Sequence, residues 1–277
     1  MDAPALDFVA ALAIALASAL AGWVAARRVA THRALLAALG FALVAWPVLC
    51  AAMPDRFHFL YPASDHGELA FASAFFLPGV LAGAYADTAL RRILQGVMTA
   101  VVAYFVLAEP LWFAFEGATL RQLNGATRDG VVIQTEPYTC VPAAVATVLR
   151  RWGVEATEGE VAYRLRTAFQ GTHPARIPRT VRVLGQEHGL RARILSTTLD
   201  ELARLDRPAI LLGWSGSIRH AVALLELDDT HIAIGDPLSG AARLPRQEFE
   251  RHFRWSGLAV LIETFSSAAQ APRLGVD

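Results

Sequence analysis

The chain contains no lysine, so all 25 of its basic side chains are arginines. That bias reads as coding preference rather than as a functional signal. Cysteine is nearly as scarce: Cys50 and Cys140 are the only two. Two cysteines do not make a disulfide framework, and their contexts differ too much for a structural pair. A charge excess is also missing, because 25 acidic residues balance the 25 arginines. No basic surplus marks a nucleic-acid partner. The first residues lack the positive segment of a secretory signal, since Asp2 and Asp7 precede the first apolar run and no arginine does.

What the chain has in abundance is apolar side chain. Hydrophobic residues make up 55% of it, and mean hydropathy is +0.38, above the ordinary range for a soluble domain. The excess falls in residues 1–115, whereas residues 116–277 have globular polarity. Four stretches, at about 8–26, 34–53, 69–86 and 93–115, approach the roughly 20 helical residues that cross a bilayer. They predict an all-α transmembrane bundle of four helices. Arg27, Arg28 and Arg33 follow the first stretch, and Arg91 and Arg92 precede the fourth. The positive-inside rule places those loops in the cytoplasm and both termini outside. The expectation is therefore an integral protein of a bacterial inner or plasma membrane, with the C-terminal half extracytoplasmic.

Pro47, Pro78 and Pro110 lie inside these stretches and predict kinks. Glu109 is an acid within an apolar run, read as reaching interfacial water near the helix end. His58, Asp65, His66 and Glu68 share the second loop. Their spacing matches no metal-site type, so no metal or other cofactor is expected.

Residues 116–130 read as a polar linker ending in the turn signal Asp129-Gly130. Val131–Gln134 reads as a strand. A helix follows from Cys140, with Pro142 just inside its start and Gly153 as its stop. Thr157 and Glu160 suggest a capping box for a second helix to about Ala168. Pro178–His188 reads as a third helix, ended by Gly189. Strands are expected at Arg191–Leu195, Ala209–Trp214, Ala221–Leu227, His231–Gly235 and Leu258–Glu263, with a short helix at Gln247–Phe253. Helices first and strands later argue for an α+β domain over 131–264, with 265–277 as a tail.

Four residues in this half form a chemical set. Cys140 stands where a helix N-terminus offers partial positive charge, which favours a thiolate. His220 can exchange protons with it, Asp236 can fix the imidazole tautomer, and Gln134 can donate an amide to an oxyanion. Each has a plainer reading: a small buried thiol, a strand-end histidine, a turn aspartate and a strand-closing glutamine. The argument rests on their order and their spacings of 6, 80 and 16 residues. His173, in a loop beside Pro174, is the one serious rival for the base.

At these residues the sequence resembles the papain-like cysteine peptidase domain that removes double-glycine leaders from bacteriocins and related peptides, family 39 of the cysteine class. The resemblance covers about residues 131–264. It implies that Gln134 is the oxyanion donor, Cys140 the nucleophile, His220 the base, and Asp236, followed by Pro237, its orienting acid. Val183-Leu-Gly-Gln-Glu-His-Gly-Leu-Arg-Ala and Pro208-Ala-Ile-Leu-Leu are similar to the family's flanking segments. Two departures stand out. Val141 replaces the usual glycine after the nucleophile and is expected to narrow the cleft, and Arg219 precedes the base. The family's domains are often fused to ABC transporters in the cytoplasm. No nucleotide-binding segment follows here, so any transporter is expected to be a separate partner.

The resulting expectation is a membrane-anchored cysteine endopeptidase with a peptide or protein substrate and a lipid bilayer as its partners. One alternative is a catalytically silent papain-like module that binds peptides and regulates a membrane partner. Another makes the bundle itself a transporter or receptor, with Glu109 and the second loop as its only support.

Overall fold

A computed structural model describes residues 3–53, 56, 58–61, 67–85 and 89–264. Asp65, His66 and the tail at 265–277 lie outside them. The chain divides into two compact units, Met1–Glu116 and Gly117–Asp277.

The N-terminal unit is helical. Helix α1 spans Ala3–Arg28 and α2 spans Arg33–Ala52. A 3-10 segment at Gly67–Phe75 leads into α3, Phe76–Tyr85. Helix α4 begins at Ala89 and ends at Arg121. The third apolar stretch is thus not one α-helix, and Pro78 explains the break. In a continuous α-helix its ring would meet the carbonyl of Ala74, and it has no N–H to donate. Pro110 likewise removes the hydrogen bond to Val106 inside α4. Among the described residues, Val9–Arg28 is the one helix long and apolar enough by itself to cross a bilayer. Gln95–Tyr104 and Val106–Arg121 pass that test only as a bent pair, and Ala34–Cys50 and Ala70–Ala84 are apolar but short.

Small residues in this unit let helix backbones approach closely, while several large apolar residues lie exposed. A Cβ on Gly79 would fall 1.9 Å from the Ala19 carbonyl oxygen, and one on Gly22 would fall 2.3 Å from that of Phe76. A Cβ on Gly83, four residues beyond Gly79, would lie 2.7 Å from the Trp23 carbonyl oxygen. This spacing of small residues lets the backbones of α1 and α3 touch, as helices do where lipid supplies no hydrophobic drive. Leu16, Leu20, Leu35 and Phe115 meanwhile lie more than 60% exposed.

The C-terminal unit is a mixed α/β domain. Asp129 and Gly130, both at positive φ, turn a small hairpin of β1, Thr127–Arg128, and β2, Val131–Val132. The expected linker at 116–130 is therefore shorter than its polarity suggests. Helix α4 occupies its start and β1 its end. Three helices follow: α5 Cys140–Arg151, α6 Glu158–Arg164 and α7 Ile177–Leu184. Gly153 and Gly189, at φ 78° and 61°, sit where α5 and the 3-10 turn after α7 stop. Thr157 caps α6 by accepting from Glu160 N–H, but α6 ends earlier than expected, at Arg164.

Strands β3 Leu190–Ser196, β4 Ala209–Ser215, β5 Ile218–Leu227, β6 His231–Asp236, β7 Gly240–Pro245 and β8 Phe253–Thr264 form one sheet. Its order is β3-β8-β4-β5-β6-β7, and every pair is antiparallel. Two short helices, α8 Leu199–Leu205 and α9 Arg246–His252, complete the unit. Ile210, Leu212, Ala221, Ala223, Val260 and Ile262 join the core with α5 and α7. Leu211, Val222, Leu224 and Leu261 pack on the other face with Leu199, Leu202 and Phe249. Both faces are covered, so β4 and β5 read as continuous apolar runs rather than alternating ones.

Gly79→Leu should destabilise the detergent-purified chain by about 3 kcal/mol or more, since the contact is backbone against backbone. Gly96, in α4, has nothing within 4 Å of its Cβ position. Gly96→Ala should therefore raise the unfolding temperature, worth up to about 1 kcal/mol of helix propensity. Thermal unfolding of both variants checks the pair.

Candidate active site

Helix α5 begins at Cys140 because the first helical turn needs no internal N–H donors, so Pro142 fits there. Ala143 N–H closes onto the Thr139 carbonyl at 3.1 Å. Nine consecutive residues, Val141–Leu149, are buried, while Cys140 keeps partial exposure. Cys140 therefore presents its thiol at the positive end of a helix fixed within the core. Val141, beside the nucleophile, is 6% exposed and packs in the hydrophobic core.

His220 is the third residue of β5, paired with Gly213 of β4. A Cβ on Gly213 would meet the Arg254 carbonyl at 2.6 Å, so β4 and β8 pack there without a side chain. In β5, His220 is buried while the preceding Arg219 is exposed. Asp236 ends β6, which lies beside β5. His220 Nε2 is 2.8 Å from Asp236 Oδ1. Leu238 N–H donates to the same oxygen at 2.9 Å, and the Ser239 hydroxyl donates to Oδ2 at 3.0 Å. The carboxylate is thus held from three directions. The Cys140 side chain also acts on the His220 ring and favours its charged form. With Nε2 on Asp236, Nδ1 is the ring nitrogen left for the sulfur.

Burial opposes a charge on His220. The hydrogen bond to Asp236, the Cys140 side chain and the charges of both outweigh it and push the imidazole up to about 9. Burial also opposes the Asp236 carboxylate. The His220 hydrogen bond, the Leu238 N–H, the imidazolium charge and the Ser239 hydroxyl together hold it below the usual aspartate range. Geometry and electrostatics agree on a charged imidazole held against the Asp236 carboxylate.

Gln134 follows the β2 segment. Its backbone N–H donates to the Pro237 carbonyl at 2.9 Å, which ties it to the turn after Asp236. Its side-chain Nε2 donates to the Glu136 carbonyl at 2.8 Å. Its Oε1 is buried with no hydrogen-bond partner among the described residues. One amide proton is thus committed, and Nε2 carries a second. The loop from Thr135 to Cys140 is fixed by Glu158, a fully buried carboxylate at the start of α6. Its Oε1 accepts from Thr135 N–H at 2.8 Å and its Oε2 from the Thr135 hydroxyl at 3.0 Å.

The structure hydrogen-bonds His220 to Asp236, sets Cys140 where it acts on the same ring, and binds Gln134 to the turn that carries Asp236. His173 is engaged elsewhere: its Nδ1 accepts from Ala175 N–H and caps a 3-10 turn. Glu158, Leu238 and Ser239 were not legible as site residues. Asp236-Pro-Leu-Ser239 does carry a readable signal, an aspartate that accepts from its own turn. Among the described residues, no group of three His, Cys, Asp or Glu side chains is placed to hold a metal ion.

Residues 117–267 match the family model described as Peptidase C39 family. An uncharacterized protein of Methanothermobacter thermautotrophicus is 32% identical over 130 residues, 47% of this chain and 87% of that protein. The probable microcin-H47 secretion/processing ATP-binding protein MchF of Escherichia coli is 29% identical over 140 residues. That match takes in 48% of this chain but only 19% of MchF. Among solved structures, a double glycine motif protease from an AMS/PCAT transporter, in complex with the leader peptide, is 23% identical. It covers 50% of this chain and 94% of its own, at a TM-score of 0.42. The peptidase domain of Streptococcus ComA, a bi-functional ABC transporter, is also 23% identical, covering 48% and 97% at the same score.

The raised His220 and lowered Asp236 set a pH window for stability. The histidine's contribution is complete below its unfolded value of about 6.5 and is lost as pH rises through about 9. The aspartate's is present above about 3.9 and is lost as pH falls through its depressed value. The unfolding-temperature gap between the natural chain and Asp236→Asn should be widest between about pH 4 and 6.5 and should shrink towards pH 9. A gap that does not vary with pH would contradict this electrostatic account.

Proposed function

Because this chain belongs to the Peptidase C39 family, we propose that it is a cysteine endopeptidase cleaving a peptide or precursor after a double-glycine leader. The observation that carries the reading is His220, hydrogen-bonded to Asp236 and raised by both Asp236 and Cys140, with Cys140 at a helix N-terminus. A purely peptide-binding module needs no such chain of contacts.

Catalysis starts from the thiolate–imidazolium pair. Cys140 Sγ attacks the scissile carbonyl carbon and a C–S bond forms. The carbonyl oxygen becomes an oxyanion facing the Cys140 N–H and the second Nε2 proton of Gln134. His220 gives its Nδ1 proton to the leaving amine as the C–N bond breaks. The acyl group is left as a thioester. Neutral His220 then takes a proton from water, whose oxygen attacks the thioester, and the C–S bond breaks to release the carboxylate. Asp236 keeps the ring oriented and stabilises its charged form through both steps.

The N-terminal unit serves in this reading as a membrane anchor of four apolar segments. Large apolar residues outside and glycine contacts inside support it, as does the apolar helix Val9–Arg28. The arginines at 27, 28, 33, 91 and 92 favour an extracytoplasmic peptidase unit and therefore a membrane-proximal precursor as substrate. A separate transporter is the natural partner for such a precursor. Labelling of Cys140 by a membrane-impermeant thiol reagent in intact cells, but not only after lysis, tests the orientation.

Limited iodoacetamide treatment of the detergent-purified chain across pH tests the chemistry, with modification mapped to Cys140. Rapid alkylation at pH 5–6, slowed at least tenfold in His220→Ala, is expected for an ion pair worth more than about 1.4 kcal/mol. Alkylation that rises only near the free-thiol value of about 8.5, and ignores His220, would falsify the enzyme reading in favour of a silent binding module. On a double-glycine leader peptide, Cys140→Ala should abolish cleavage, and His220→Ala should cost about 10²–10⁴-fold in kcat/KM. Activity should fall on the alkaline side near pH 9, where the imidazolium deprotonates.

A further inference from the structure

The Glu136 peptide carbonyl receives three hydrogen bonds. Thr139 N–H donates at 3.1 Å, the Thr139 hydroxyl at 2.9 Å, and Gln134 Nε2 at 2.8 Å. The Thr139 hydroxyl also accepts from Glu136 N–H at 3.2 Å. Thr139 and Glu136 therefore grip one another through both backbone and side chain, and Thr139 is completely buried.

Thr139 occupies the N-cap position of α5, where a threonine hydroxyl ordinarily accepts from the first-turn N–H groups. Here it makes no such cap. The hydroxyl is turned back to Glu136 instead, so it contributes to the loop and not to the helix end.

That carbonyl also decides the sense of the Gln134 amide. An amide rotated by half a turn would set Oε1 against the Glu136 oxygen, acceptor against acceptor. The orientation with Nε2 on the carbonyl is kept even though it leaves Oε1 buried and without a partner. Buried polar atoms without partners are uncommon, and one at a site points to a constraint that outweighs the loss.

We propose that Thr139 is a positioning residue: by holding the Glu136 carbonyl, its hydroxyl keeps the Gln134 amide donor-first toward the developing oxyanion. The inference rests on the peptidase reading of the same site. It assigns the residue beside the nucleophile a task in oxyanion stabilisation, not in thiol activation.

The test uses full-length Thr139→Val, which keeps the side-chain shape, with Thr139→Ser and Gln134→Ala beside it. Three quantities are read: Cys140 alkylation by iodoacetamide, which develops no oxyanion; kcat and KM on a double-glycine peptide; and affinity for the same peptide ending in glycine aldehyde. The aldehyde carbon bonds to Sγ, and its oxygen takes the oxyanion's place. Thr139→Val should alkylate at the natural rate, lose about tenfold in kcat with KM within about twofold, and weaken aldehyde binding in proportion; removing an oxyanion donor outright costs about 10²–10³-fold. Thr139→Ser should restore both. An unchanged kcat and aldehyde affinity in Thr139→Val would overturn the proposal. So would an equal fall in alkylation and kcat, because the hydroxyl would then be supporting the nucleophile. Failure of the underlying reading looks different: the natural chain itself would neither bind the aldehyde nor show His220-dependent alkylation, leaving no oxyanion donor to position.

Discussion

Everything in the C-terminal unit depends on one helix being buried on all sides. Helix α5 carries nine buried residues in succession, among them Ala143, Ala144 and Ala146. These small side chains let the sheet and the β2 segment close around the helix. Gly235 shows how close the fit is, because a Cβ there would lie 2.9 Å from Val131 and 3.4 Å from Thr147. A helix held this way cannot slide or rotate, so its first residue has a fixed position. That first residue is Cys140. The next residue along the β6 strand from Gly235 is Asp236, so the contact that sets the helix depth also sets the distance across the site.

The electrostatics follow from that placement. A histidine buried alone would be held neutral, because desolvation disfavours its charge. Here Asp236 and Cys140 both favour the charged ring, and the balance reverses. Asp236 is itself kept anionic by Leu238 N–H and the Ser239 hydroxyl, which come from its own turn. Strand pairing brings β5 and β6 together, the turn satisfies the acid, and the acid sustains the imidazolium. Each step relies on the one before it, and none of these groups needs a metal among its contacts.

The sequence exposed the site more clearly than the architecture around it. Cysteine at a helix head, histidine in an apolar strand and aspartate before proline are each legible, because they mark boundaries between elements. Stops at Gly153 and Gly189 were legible for the same reason, since both hold positive φ. Strand β7 was not, because Gly240-Ala-Ala-Arg-Leu-Pro245 is bounded by glycine and proline and lacks a β-branched run. Helix α8 was missed despite its full capping box, Thr198 with Glu201, because seven residues give too little apolar periodicity. In the N-terminal unit hydropathy marked the apolar stretches, but the Gly79–Gly83 spacing, also present in the sequence, carried the packing.

Glu158 shows where order in the active-site loop originates. Its two oxygens hold Thr135 by backbone and side chain, and the adjoining Gly159 N–H donates to the Leu123 carbonyl at 2.9 Å. Fixing a residue's backbone costs about 1–2 kcal/mol of conformational entropy. In this unit the cost for the segment before Cys140 is met once, when the chain folds. On the proposed peptidase reading, a bound peptide meets a surface already set, and its binding energy remains for orienting its own scissile bond.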